Sequence, residues 1–129
     1  MISVDTNILI RIVTNDDPRQ AKRAANVLAK DRVFIAKTVF LEMEWILRRA
    51  YLLEKKVILK AFRNILGLMN VEAEDELRVV QALEWYETGL DFADALHLAS
   101  SGNASQLVTF DKEFAKKSKK INRTRVSVV

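Results

Sequence analysis

Four acidic side chains in this sequence have the chemistry to act on a phosphate ester. They are Asp5, Glu42, Asp94 and Asp111, and they are spread over most of the 129 residues. Carboxylate oxygens are the ligands that hard cations such as Mg²⁺ and Mn²⁺ prefer. An ion held in this way polarises a phosphodiester and orients a water molecule for in-line attack. Such a site forms only if the fold brings these four residues together.

Nucleophilic catalysis by cysteine is excluded, because the chain has no Cys, and a Ser-His-Asp arrangement has only one His to draw on. That residue, His97, lies one turn after Asp94. A single helical histidine is more often a packing or surface residue than a ligand, and we interpret His97 in that way. The lack of cysteine also excludes disulfides and thiolate metal sites, which fits a reducing compartment.

The elements that must position the acids follow from the apolar pattern. Short apolar runs typical of strands alternate with longer segments that repeat at helical spacing. The predicted strands are residues 2–4, 32–36, 70–73, 106–109 and 126–129, and helices occupy the segments between them, including 38–53, capped by Thr38, and 74–88, with Leu77, Val80 and Leu83 inward. This alternation predicts an α/β/α sandwich with a central, mainly parallel sheet of about five strands. We expect one domain over residues 1–129.

The predicted topology places the acids near strand ends. Asp5 directly follows the first strand and Asp111 follows the fourth, while Glu42 lies one turn into the helix after the second strand. Open parallel sheets form their sites beyond the carboxyl ends of the strands. Carboxylates gathered there repel one another and need a cation between them.

Each acid also has a purely local interpretation. Asp5, Asp91 and Asp111 are good helix N-caps, and Asp91 with Asp94 three residues later resembles a capping box. Asp17 is a further N-cap, because Pro18 after it suits the first position of a helix. Glu42 fits a solvated helix face. These interpretations explain each residue alone, but they do not explain why all would lie at one edge of a sheet.

The charge distribution favours a polyanionic partner. The net charge is +4, yet residues 112–129 contain five Lys, two Arg and one Glu, so residues 1–111 are slightly acidic. A solvated terminus explains the same pattern. Some aromatic and basic side chains within the chain also have two interpretations. The aromatic ones either stack on bases or belong to the core or a partner interface, and they are Trp45, Trp85 and Tyr86. The basic ones either contact phosphates or are solvated, and they are Arg48, Arg49, Lys55 and Lys56.

No targeting or membrane signal is present. The N-terminus lacks a basic segment followed by an apolar one, and no apolar run reaches the ~18–20 residues that span a bilayer. We therefore expect a cytoplasmic protein that does not contact a membrane.

Four short motifs resemble those of one family. VDTNIL at residues 4–9, VFLEMEWILR at 39–48, DFADAL at 91–96 and VTFD at 108–111 are similar, in this order, to the motifs of PIN domains. The chain length and the details of these motifs most resemble the toxin half of type II toxin–antitoxin pairs, the VapC type.

The resemblance implies a Mg²⁺- or Mn²⁺-dependent endoribonuclease that cleaves single-stranded RNA, with Asp5, Glu42, Asp94 and Asp111 as catalytic metal ligands. It implies supporting roles for four polar neighbours, Thr6, Asn7, Asp91 and Thr109. Glu44 is a rival of Glu42, but residues two apart on a helix face different directions. The spacing to Trp45 favours Glu42.

The resemblance also implies partners: a cognate antitoxin protein and a second copy of the chain in a homodimer. The apolar segment 40–66 is a candidate surface for these contacts, although most of it must be core.

Several alternatives remain open. A haloacid-dehalogenase-type phosphatase needs a second Asp where this chain has Asn7, which disfavours that class. A receiver domain needs adjacent acids after its first strand and a Lys after its last strand, and neither feature is present. A PIN nuclease that processes RNA without being a toxin, and a PIN-fold interaction module without catalysis, are the closer rivals.

Overall fold

The computed structural model describes residues 1–121 and 125–129, which form seven helices and five strands. The described chain divides into two compact units, residues 1–76 and residues 77–129. Each unit has its own ladder of parallel strands.

The first unit contains three strands and four helices. In chain order they are β1 (Ile2–Ser3), α1 (Thr6–Thr14), α2 (Pro18–Lys30), β2 (Val33–Ile35), α3 (Lys37–Arg49), α4 (Lys55–Leu66) and β3 (Val71–Ala73). The strands pair in parallel in the order β1–β2–β3, with Val33 opposite both Ile2 and Val71. This alternation of strand and helix is the pattern that the sequence predicts.

Local capping chemistry sets where the first helices begin. The Asp5 carboxylate accepts a hydrogen bond from the Thr6 N–H at the start of α1, at 2.8 Å. Asp17 Oδ1 accepts from the Gln20 N–H at 3.2 Å, and Pro18 occupies the first position of α2, where no N–H is needed. Both boundaries confirm the sequence prediction.

The core of the first unit is formed by the inner faces of α1, α3 and α4 and by β2. Phe40 and Phe62 are fully buried and pack edge to face, with ring centroids 5.6 Å apart. Aromatic pairs prefer this geometry because the positive edge of one ring meets the negative face of the other. The other large side chains that are fully buried here are Leu9, Ile10, Ile35, Met43, Leu47, Ile58 and Val33.

The predicted helix over 38–53 is wrong at both ends. α3 begins at Lys37 after Ala36, which offers no side-chain cap, and Thr38 is not the cap. It ends at Arg49, and Leu52 takes a positive φ of 55° that no helix allows. Leu52 is 81% exposed, so its apolar character did not indicate burial.

The second unit contains three helices and two strands, although Glu76, the first residue of α5, belongs to the first unit. They are α5 (Glu76–Thr88), α6 (Phe92–Ser100), β4 (Gln106–Thr109), α7 (Lys112–Ser118) and β5 (Arg125–Val128). β4 and β5 are parallel, with Gln106 opposite Arg125. Tyr86 and Phe92 are buried and pack edge to face at 5.3 Å between centroids.

The buried face of α5 differs from the predicted one. Leu83 is buried as predicted, but Leu77 is 85% exposed and Val80 is 39% exposed, while Val79 and Tyr86 are buried. Apolar residues occur on more than one side of this helix, so the sequence pattern alone combines residues from two stripes at helical spacing.

The strand prediction is confirmed in number and direction but not in pairing. All described pairings are parallel, yet the strands form ladders of three and two rather than one ladder of about five. The strands are only two to four residues long, so each contributes few backbone hydrogen bonds. No helix in residues 1–121 or 125–129 is long and apolar enough to cross a membrane.

Candidate acidic site

Asp94 is the most perturbed acid of the second unit. It lies in the first turn of α6 and is half-buried. Burial raises the pKa of its carboxyl above the ordinary value, and the negative charges of Asp91 and Asp111 raise it further. His97 and Lys117 act in the opposite direction and lower the pKa of Asp94. Negative charge at Asp94 is therefore unfavourable in the protein alone.

Asp91 is the helix cap that the sequence predicts. Its Oδ2 accepts a hydrogen bond from the Asp94 N–H at 3.2 Å, which makes it the N-cap of α6. The same carboxylate contributes to the raised pKa of Asp94. Capping thus holds a second negative charge close to Asp94.

Asp111 is fixed from both sides. Its Oδ1 accepts a hydrogen bond from the Phe114 N–H at 3.0 Å and so caps α7. Its own N–H donates to the Thr109 hydroxyl oxygen, also at 3.0 Å. Thr109 therefore fixes the turn that carries Asp111, whereas the side chain of Asp111 is exposed.

In the first unit, Asp5 lies at the carboxyl end of β1, as the sequence predicts, and is exposed. Thr6 is only 3% exposed and supports Asp5 through its backbone N–H. Asn7 is exposed and lines a cleft of about 290 Å³ between α1 and α2, together with Arg11 and Arg23.

The two glutamates of α3 differ sharply in their surroundings. Glu42 is exposed, and Trp45, one turn further on, is 56% exposed. Glu44 is 3% exposed and accepts a hydrogen bond from Arg48 Nε at 2.8 Å, one turn later in the helix. Glu44 is therefore occupied in a buried ion pair, while the carboxylate of Glu42 is open to solvent.

The chemistry of the acids fits a hard divalent cation. Within the residues that the structure describes, no three acidic or histidine side chains are close enough to form a ready-made metal site. The charges of Asp91 and Asp111 nevertheless raise the pKa of Asp94, and all three side chains offer oxygen ligands. A bound cation would relieve the repulsion that raises the pKa of Asp94.

Sequence reasoning missed the role of Lys117. Its positive charge lowers the pKa of Asp94, although the two residues are 23 positions apart. In the sequence, Lys117 is one of many basic residues near the end of the chain. Only the packing of α7 distinguishes Lys117 from the neighbouring lysines as the one that affects the pKa of Asp94.

Comparison with known families gives one match. The sequence profile of the PIN domain matches residues 2–120, which is nearly the whole chain. No curated protein sequence matches the chain significantly. The match spans both compact units and includes all four of the motifs that carry the resemblance.

Proposed function

Because the chain belongs to the PIN domain family, whose members are in general nucleases, we propose that it is a Mg²⁺- or Mn²⁺-dependent endoribonuclease acting on single-stranded RNA. The observation that carries the metal dependence is the state of Asp94. Burial and two neighbouring carboxylates make its charge unfavourable, and a divalent cation would relieve this.

We propose Asp5, Glu42, Asp94 and Asp111 as the catalytic residues and metal ligands. Each is an oxygen donor from a PIN-like motif, and three of them are fully exposed to solvent while Asp94 is half-buried. When bound, a divalent ion polarises a phosphodiester and makes a water molecule a better nucleophile near neutral pH. No covalent nucleophile from the chain is needed.

The surrounding residues orient these ligands. The cap from Asp91 fixes the first turn of α6 and thereby the position of Asp94. The Thr109 hydroxyl does the same for the turn that carries Asp111. Preorganised ligands reduce the rearrangement needed when the substrate binds.

In the cell, we propose that the protein is the toxin of a toxin–antitoxin pair, inhibited by a cognate antitoxin and active as a homodimer. The VapC-like motifs at residues 4–9, 39–48, 91–96 and 108–111 support this proposal. A small gene beside this one, whose product relieves growth arrest on co-expression, would distinguish it from an RNA-processing nuclease. Expression that leaves growth unchanged would argue against the toxin role.

The nuclease proposal is tested by a cleavage assay on structured and unstructured RNA, with Mg²⁺, with Mn²⁺ and with a chelator. We expect cleavage of unstructured RNA with either ion and none with the chelator. Asp5→Asn and Asp94→Asn should each abolish cleavage, with circular dichroism spectra like that of the parent.

Two results would contradict this account. Cleavage in the chelator would exclude the metal mechanism, and full activity in both variants would exclude the assigned ligands. Binding of RNA without cleavage under any of the ionic conditions would favour the interaction module without catalysis.

A further inference from the structure

A second feature of residues 77–129 is a cleft with a basic rim. Thr88, the last residue of α5, forms one side together with Gly89 and Leu90, and residues from α7 to Ile121 form the other. Its volume of about 340 Å³ lies within the ~300–1,000 Å³ range of small-ligand sites. Nothing in the proposed metal chemistry uses this cleft.

The rim of the cleft is positively charged. Lys116, Lys117 and Lys120 line it and are exposed. None of the three forms an ion pair with any residue in 1–121 or 125–129. Glu113 is the one acid among the lining residues, so the rim has a net positive charge. Unpaired lysines on a shared wall attract phosphate groups.

The floor of the cleft is apolar. Leu90 is buried, Ile121 is half-buried, and Gly89 has no side chain to fill the space. Gly89 has a φ of 126°, which other residues rarely adopt, so the open floor goes with a backbone conformation that needs glycine. An apolar floor with a cationic rim complements a nucleotide, which has a flat base and a charged phosphate, better than it complements a bare anion.

The cleft also lies beside the aspartates of the second unit. Leu90, in its floor, directly precedes Asp91, the N-cap of α6, and Glu113, in its opposite wall, lies in the first turn of α7, which Asp111 caps. A strand whose phosphate lies at Asp94 would therefore reach the cleft with one of its next nucleotides.

We propose that this cleft binds one nucleotide of the single-stranded substrate beside the cleaved bond, with its phosphate at Lys116 and Lys120 and its base over Leu90 and Ile121. The identity of the strand as RNA rests on the proposed function. The positive charge and shape of the cleft are independent of it.

Binding is measured without cleavage by titrating a fluorescent, short single-stranded RNA in the presence of a chelator. The test variant is K116A/K120A, which retains Lys117 next to Asp94. We expect its Kd to rise about tenfold and the slope of log Kd against log salt to fall by about 0.7, since the two lysines share one phosphate and single-stranded nucleic acids release ~0.7 counterions per neutralised phosphate.

Two controls separate the cleft from general charge. K22A/K60A removes the same charge from exposed positions of the first unit, and K119A removes a lysine beside the test positions that does not line the cleft. Both should bind RNA with a Kd within about twofold of the parent value, since isolated surface charges contribute little.

The proposal is overturned if K116A/K120A binds RNA no more weakly than K22A/K60A. It is also overturned if that variant keeps its RNA affinity but loses binding to a protein partner. In competition, uridine monophosphate should displace the RNA at lower concentration than inorganic phosphate, and equal potency would reduce the cleft to an anion site. A parent protein that binds RNA through these lysines but never cleaves it would refute the nuclease proposal. The assignment of the cleft as a nucleotide-binding site would then still hold.

Discussion

Two aspartates, Asp16 in the first unit and Asp94 in the second, have opposite electrostatic environments. The pKa of Asp16 is lowered, first by the hydrogen bond from the Tyr51 hydroxyl at 2.6 Å and also by those from Thr14 and Arg11. The pKa of Asp94 is raised, first by burial and then by neighbouring acids.

The difference lies in the partners rather than in the residue type. Asp16 is surrounded by donors that stabilise its charge and that connect α1, the following loop and the end of α3. Asp94 has acids as neighbours and donates its own N–H to one of them. Donors give Asp16 a structural role, and their scarcity leaves Asp94 available to a cation.

A large effect on activity is also expected at Glu42, because the neighbouring Glu44 forms an ion pair with Arg48 and is not available as a substitute ligand. Glu42→Gln should lower the rate of RNA cleavage by about 10²-fold or more, because a metal ligand contributes several kcal/mol to the transition state. The unfolding midpoint should stay at the parent value, because the Glu42 side chain is exposed. Wild-type cleavage by Glu42→Gln would remove this residue from the site.

The largest effect on stability is expected at Arg48. Arg48→Ala removes the ion pair that Arg48 forms with the buried Glu44 carboxylate and should lower the free energy of unfolding by ~2 kcal/mol, a value kept modest because Arg48 is 40% exposed. Arg49→Ala, at the exposed next position, is the matched control and should change it by less than ~0.5 kcal/mol. Urea denaturation measures both, and equal values would contradict the assigned role of Glu44.

A smaller and opposite effect is expected from Asp94→Asn in a chelator. Because folding raises the pKa of Asp94, its charge reduces stability above that raised pKa, and this penalty disappears below the unfolded value of ~3.9, where both states are protonated. The variant should therefore melt ~1–3 °C higher than the parent near pH 7, a gain kept small by solvent screening.

Two further thermal unfolding measurements check the sign of the effect that the Asp94 charge has on stability. At a pH of ~3 the midpoints of parent and Asp94→Asn should coincide. Mg²⁺ added near pH 7 should raise the midpoint of the parent more than that of the variant, because only the parent keeps the full ligand set. A variant less stable than the parent near pH 7 would contradict the unfavourable charge at Asp94.

The smallest expected effect is a change in the pKa of one carboxyl, that of Asp16. Tyr51→Phe removes the hydroxyl that contributes most to the lowered pKa of Asp16, so that pKa should rise toward the ordinary value. Carboxyl NMR titration of parent and variant measures it. An unchanged pKa would assign the effect to Thr14 and Arg11 instead.

The sequence predicts those parts of the fold that depend on local chemistry. Asp17, Asp91 and Asp111 are found as helix caps because an N-cap needs only its own side chain and an N–H three residues later. The succession of strands and helices is confirmed for the same reason, since short apolar runs and helical spacing are local signals. The parallel direction of the strands follows from this alternation.

The rest depends on distant contacts. Leu77 and Trp45 are apolar but exposed, because burial depends on which helix face meets other elements. The effect of Lys117 on Asp94, and the choice of ladders of three and two strands, involve residues far apart in the chain. Asp16 illustrates the same limit, because the sequence does not show that Tyr51 lies within hydrogen-bonding distance of it.

The most direct test of the central claim compares Asp16→Asn with Asp94→Asn in the same Mg²⁺-dependent RNA cleavage assay, at a temperature where both are folded. The two substitutions are chemically identical, and only the surroundings differ. We expect Asp16→Asn to cleave at the parent rate while melting at a lower temperature, and Asp94→Asn to lose cleavage while remaining at least as stable as the parent in a chelator. Cleavage by Asp94→Asn at the parent rate would contradict the proposal that Asp94 is a catalytic residue.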